Sequence, residues 1–230
     1  MKTIKLIAVD IDGVLLEDTF SPVLYRLAKK FNVDYTLDIE KNAFSQNRES
    51  AGLYLKKKFR LSEDTTIQQM LDLYFSERDS YLNETYSKSS IVKGALDFIT
   101  RLTQYDVHLI CYGGLAYEQI SSEFQPYLDY FEQYVCTNNF RPGLKEIIQD
   151  MYKIDFKEAL FVDDVDRVAK EAKKYKVPFI GVPAIHSWGF QEEEMKKTGV
   201  KYMVKSVNEI TQQFLEKIDS DNEIWEGEKI

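Results

Sequence analysis

The chain has 230 residues, 44% hydrophobic and 30% charged, with a formal net charge of -8. That length and apolar content suit one large globular domain, or a domain with an insert, and exclude a disordered chain or a disulfide-stapled miniprotein. The acidic balance argues against a broad nucleic-acid surface, which is normally basic.

Cys111 and Cys136 are the only cysteines and lack paired spacing, so neither a disulfide framework nor a zinc knuckle is expected. No apolar stretch approaches the roughly 18 residues that span a bilayer. Asp10 interrupts the first apolar run, so no signal peptide is read and a cytoplasmic protein is the expectation.

Ile4 to Val9 runs straight into Asp10-Ile11-Asp12-Gly13, the pattern of a central parallel strand feeding a functional loop. Ser21-Pro22 predicts a cap and a helix to Phe31, with Leu24, Leu27, Ala28 and Phe31 on its apolar face. From about 33 to 88 no strand-then-loop pattern recurs. Helical spacing replaces it, first over Ser50 to Phe59. Ile67, Met70, Leu71, Tyr74 and Phe75 then form one stripe between Asp64 and Tyr81.

The alternation resumes at Gly94. A helix is expected over 95–102, a strand over 107–111, a Gly113-Gly114 loop, and one helix over 117–131 kinked or divided at Pro126. Strands follow at 134–136, 159–162, 178–182 and 202–204, with helices at 144–152, 165–175 and 207–218. Repeated βα units predict an α/β fold, a Rossmann-like parallel sheet sandwiched by helices, carrying a helical cap domain. The expected boundaries are a core of 1–15 and 90–218, a cap of 16–89, and a mobile acidic tail of 219–230.

Ligands in such folds sit beyond the carboxyl ends of the strands. Three strand ends therefore matter: Asp10 with Asp12, the Tyr112-Gly113-Gly114 turn, and Asp163-Asp164. Carboxylates gathered there would repel one another unless a cation lay between them. Hard oxygen donors suit Mg²⁺, which keeps room in its shell for phosphate oxygens. Asp10, Asp12, Asp163 and Asp164 are the candidate metal residues.

The Asp10-Ile11-Asp12-Gly13-Val14 run, followed by Leu15, resembles the first motif of the haloacid dehalogenase-like hydrolase superfamily. Phe161-Val162-Asp163-Asp164 resembles its last acidic motif, Phe140-Arg141-Pro142-Gly143 its middle stretch, and 199–206 its final strand and helix. The resemblance implies a phosphatase-type member with a cap inserted after the first motif. It implies Asp10 as the nucleophile, Asp12 as general acid and base, Asp164 as metal ligand with Asp163 beside it, and Arg141 in the place of a lysine.

Departures from that pattern are visible. No Ser or Thr closes the strand ending Cys111-Tyr112-Gly113-Gly114, so the phosphate partner falls on Cys111, Tyr112 or Gly113, with the glycine amides able to form an anion nest. Lys145 is a reserve for Arg141. Val168 stands where the family often has an Asp or Asn, with Asp166 near but out of register.

The cap is expected to select the substrate, with Asn47, Arg48, Tyr54, Lys56 and Arg60 as candidate contacts and an aromatic-rich wall able to accept a ring. The basic groups Lys56-Lys57-Lys58 with Arg60, and Lys170, Lys173, Lys174 and Lys176, read as solvated helix faces. His108 and His186 have no carboxylate at a recognisable spacing, and Trp188 reads as rim packing.

The expected function is Mg²⁺-dependent hydrolysis of a small phosphorylated metabolite through a phosphoaspartate. The alternatives are a phosphomutase or phosphotransferase and a non-catalytic ligand-binding protein, with nucleic-acid end processing as a third idea.

Overall fold

The computed structural model describes residues 1–86 and 89–227. Six parallel strands form one sheet: β1 (Leu6–Asp10), β2 (His108–Gly113), β3 (Tyr134–Cys136), β4 (Ala159–Asp163), β5 (Phe179–Gly181) and β6 (Tyr202–Met203). Their order is β3-β2-β1-β4-β5-β6, so the chain reverses its direction of growth beside β1. A crevice opens at such a reversal, beyond the carboxyl ends of the strands.

β1 is an unbroken apolar run because both faces are covered. On one face Ile7, Val9, Leu109, Cys111, Leu160 and Val162 pack against Phe98 and Leu102 of α5 (Ala95–Leu102) and Leu215 and Ile218 of α8 (Gln212–Ser220). On the other, Leu6, Ala8, Ile110, Tyr112 and Phe161 meet Ala169 and Ala172 of α6 (Asp166–Tyr175), Met195 of α7 (Gln191–Thr198), and Ile147 and Ile148.

Four helices are inserted between β1 and α5: α1 (Phe20–Lys30), α2 (Leu37–Ala43), α3 (Arg48–Lys58) and α4 (Ile67–Thr85). They have a core of their own around Leu24, Leu27, Ile39, Leu55, Phe59 and Met70. The neck joining insert to sheet is paired: Leu16 bridges Ile91, Glu17 N–H donates to Ser90 O at 2.8 Å, and Val92 N–H donates to Leu15 O at 3.0 Å.

A second seam lies on the loop between β5 and α7. Trp188 is stacked between His186 (4.4 Å) and Tyr25 of α1 (4.2 Å), with Tyr35 edge-on at 5.3 Å. His186 Nε2 lies 3.2 Å from Asp18 Oδ2. The buried Glu40 of α2 accepts from Gln191 Nε2 (2.7 Å) and Phe190 N–H (3.2 Å). Trp188 is therefore an interdomain wedge rather than rim packing, and both histidines have carboxylate partners distant in sequence, His108 through Glu132 at 2.8 Å.

Several local expectations differ from the structure. The N-cap of α1 is Thr19, Asp18 before it accepts at Oδ1 from Phe20 N–H and Ser21 N–H, and Ser21 lies inside the helix. The single helix expected over 117–131 is two 3₁₀ turns, Tyr117–Gln119 and Gln125–Tyr130, with extended backbone at Ile120 and Pro126 starting the second. Residues Glu146–Tyr152 wind as a π-type turn that stops at left-handed Lys153. Helices α2 and α7 carry no sequence pattern strong enough to announce them.

The expected mobile tail is tied down instead. Asp219 Oδ1 and Oδ2 accept from the backbone N–H groups of Lys2, Thr3 and Ile4. Asp221 pairs with Lys201 at 2.5 Å, and Trp225 Nε1 donates to Val177 O at 3.2 Å. Residues 228–230 of that tail lie outside the described residues. No helix among the described residues is long and apolar enough to cross a membrane.

Candidate active site

β1 and β4 lie side by side in register, Val9 opposite Val162, so Asp10 and Asp163 emerge together at the sheet edge. Asp10 also pairs with Tyr112 of β2. Period-two alternation places Asp10, Tyr112 and Asp163 on one face. After β1 the chain turns tightly, with Leu15 and Leu16 N–H donating to Ile11 O and Gly13 N–H donating to Leu16 O. Gly13 has φ +89°, and a Cβ there would overlap the Asp164 carboxylate. Only a bare Cα lets Asp164 lie against this turn.

Burial pushes the Asp10 carboxyl up, the Asp163 charge adds to it, and Arg141 opposes both. Asp12 is also raised by burial, against the pull of the Arg78 and Arg141 guanidiniums. Asp164 is raised by burial and by the charges of Asp163 and Asp10. Four acids crowded in this way call for positive charge. Three arginines line the same cavity: Arg141 from the loop after β3, Arg48 from α3, and Arg78 from α4.

Arg78 was not expected. It is 8% exposed, and its Nε donates to Thr19 Oγ1 at 3.2 Å. Arg48 Nη2 donates to Gly114 O at 3.0 Å and to Gln119, and its guanidinium lies 5.4 Å over the Phe75 ring. It joins the cap to the loop after β2.

The turn expected to hold phosphate is divided by the structure. Cys111 faces the α5 side of the sheet and is part of that core. The Tyr112 hydroxyl donates to Asp163 Oδ2, beneath the edge rather than toward the cavity. A Cβ on Gly113 would stand 3.7 Å from Asp10 Oδ1, and one on Gly114 would overlap Arg141 Nη2. Gly114 therefore leaves room for the guanidinium. Lys145 is exposed and does not line the cavity; nor do Asn47, Tyr54, Lys56 and Arg60. Asn47 caps α3, accepting from Ser50 N–H at 2.8 Å. Tyr54 and Lys56 are hydrogen-bonded to Asp38 and Glu63 within the cap.

Asp163 also accepts at Oδ1 from Val165 N–H at 2.7 Å, so each of its oxygens holds one donor while the residue lines the cavity. Burial lifts its carboxyl to about 6, held back by the Tyr112 and Val165 donors. Asp166 is turned away, accepting from Thr198 Oγ1 at 2.5 Å. Val168 lines the cavity where a polar residue was the family expectation.

Among the described residues, no three His, Cys, Asp or Glu groups stand together closely enough to hold a metal ion as they are placed here. The donor chemistry nevertheless fits a hard divalent cation: buried carboxylates that raise one another, and Asp12 Oδ1 closed off from solvent without a hydrogen-bond partner.

No family model and no curated protein matches the sequence. Solved structures do. A predicted phosphatase from Clostridium acetobutylicum superposes over 93% of this chain and 99% of its own, with 20% identity and TM-score 0.62. A beta-phosphoglucomutase from Clostridium difficile covers 94% and 97%, with 15% identity and TM-score 0.66. This is the haloacid dehalogenase-like fold. A haloacid dehalogenase-like hydrolase from Streptococcus pneumoniae matches it over 93% of this chain and all of its own (100%), at 15% identity and TM-score 0.62. The likeness includes the helical insert after the first motif, and at these identities it establishes fold.

Proposed function

We propose that this haloacid dehalogenase-like protein is a Mg²⁺-dependent phosphomonoester hydrolase working through a phosphoaspartate on Asp10. The observation that carries the reading is one cavity, closed over by the cap, lined by Asp10, Asp12 and Asp164 together with Arg48, Arg78 and Arg141. Asp10, Asp12 and Asp164 would hold the cation. When bound, it offsets negative charge between carboxylate and phosphate.

An Asp10 oxygen attacks phosphorus, and the bond from phosphorus to the ester oxygen breaks. Asp12 gives that leaving oxygen its proton. Water then attacks the phosphoaspartate, Asp12 takes its proton, and phosphate leaves with Asp10 restored. Arg141, lodged against Gly114, would hold phosphate oxygens with two donors. The altered turn after β2 thus has a substitute in the guanidinium itself.

The test is phosphate release from a panel of monoesters with and without Mg²⁺, with Asp10→Asn as control. Release that survives in the variant would sink the mechanism. Arg141 in the place of a lysine, Val168 in the cavity wall and the missing Ser or Thr after β2 favour, as a second reading, a ligand-binding protein without turnover. It would bind phosphoesters with and without Mg²⁺ and release no phosphate. Transfer of the phosphoryl group to a second alcohol, with little free phosphate, would instead mark a phosphotransferase.

A further inference from the structure

The cavity has two chemically different ends. Its floor is the charged sheet edge; its cap-side walls include Phe20, Phe44, Leu55, Met70, Tyr74 and Phe75. Gly52 and Ala51 of α3 line the same space without filling it. The cavity thus continues beyond the charged floor into the cap.

On the cap side apolar residues outnumber polar ones, and the charged side chains there are Asp18, Arg48 and Arg78. Arg48 is bound to Gly114 and Gln119, and Arg78 to Thr19. Ser45 differs from these arginines. It lines the cavity, is 8% exposed, and its Oγ has no hydrogen-bond partner. Its backbone is left-handed at φ +51°, a conformation that a serine adopts at some cost in strain. An unpartnered buried hydroxyl at a strained position is the kind of group that a ligand completes.

We infer that the substrate is the monophosphate of a largely apolar alcohol, an aryl or branched-chain ester carrying one polar group that pairs with Ser45. The inference rests on the phosphoester reading above and narrows it. A sugar phosphate would press several hydroxyls against Phe44, Leu55, Met70 and Phe75, where they lose their bonds to water and gain none. An apolar body buries the same walls at no such loss. In this arrangement the phosphate is fixed at the charged floor, and the apolar part of the cap wall selects the remainder by shape.

The experiment measures binding and turnover separately. Phenyl phosphate, 4-hydroxyphenyl phosphate and glucose 6-phosphate are titrated calorimetrically into the Asp10→Asn protein with Mg²⁺, and kcat/KM is measured for each with the unaltered chain. The aryl esters are expected to bind about 100-fold more tightly than the sugar ester, the effect of roughly two unmade hydrogen bonds. Ser45→Ala is expected to weaken 4-hydroxyphenyl phosphate by about 10-fold and to leave phenyl phosphate unchanged. Equal binding, preference for the sugar ester, or no binding of any ester would overturn the inference. Aryl preference without turnover keeps it while removing the hydrolase reading; turnover without preference does the reverse. Should Ser45→Ala weaken both aryl esters alike, Ser45 shapes the wall and its role as the partner falls.

Discussion

The Tyr112 hydroxyl donates to Asp163 Oδ2, joining the ends of the two strands that flank β1. This contact fixes an acid that would otherwise be buried with one oxygen bare. Tyr112→Phe is expected to lower stability by about 1–3 kcal/mol, the cost of a buried acceptor without its donor. Because the donor also holds the Asp163 carboxyl down, its loss should raise that group further. A urea midpoint equal to that of the unaltered protein would show that the contact contributes nothing.

Gly114 and Arg141 make a different kind of pair. A Cβ at Gly114 would displace the far end of the Arg141 side chain, which can move without breaking the fold. Gly114→Ala should therefore change stability by less than about 1 kcal/mol while weakening inorganic phosphate by about 10-fold. Unchanged phosphate affinity would mean that the guanidinium position is irrelevant to the anion.

Gly13 leaves no such freedom. Gly13→Ala places a side chain at φ +89° and against the Asp164 carboxylate, which is itself hemmed in by the edge. The cost should be about 1–3 kcal/mol from strain alone, read as a lowered melting temperature. Mg²⁺ should stabilise the unaltered protein and fail to stabilise this variant. Equal stabilisation would remove the turn from the cation site.

Asp219 supplies a test by pH. Partial burial pushes its carboxyl up, but the amides of Ile4, Lys2 and Thr3 outweigh that and hold it below the ordinary range. A lowered carboxyl stabilises the fold above its unfolded value, near 4, and that contribution is lost as pH falls through the lower folded value. Asp219→Ala should cost about 1–2 kcal/mol near neutrality. The difference between variant and parent should shrink as pH drops below about 4, and a gap that is constant with pH would rule out the carboxylate as its source.

The sheet edge was legible because it is local. An apolar strand run followed by acids reports its own position, which is how Asp10, Asp12, Asp163 and Asp164 were found. Alternation along 108–113 also held the answer for Tyr112: it shares parity with Ile110, and Cys111 with Leu109, so the phenol and the thiol face opposite layers. Arg78 was not legible. One arginine on an amphipathic helix looks the same whether it meets solvent or a carboxylate supplied by another domain. Short polar helices such as α7, with Glu192, Glu193 and Glu194 in its first turn, are held by tertiary contacts that no periodicity announces. The Trp188 seam depends on residues from α1 and the loop after α1 meeting a loop far along the chain.

That seam gives the protein a built-in optical gauge. Its two tryptophans stand in unlike places: Trp188 is clasped by Tyr25 and His186 across the boundary between cap and sheet, while Trp225 is anchored to Val177 and stacked near Phe179. Any swing of the cap about the paired neck must pull Tyr25 away from Trp188 and leave Trp225 untouched. Emission from the first, referenced to the second, would follow each opening without an added dye.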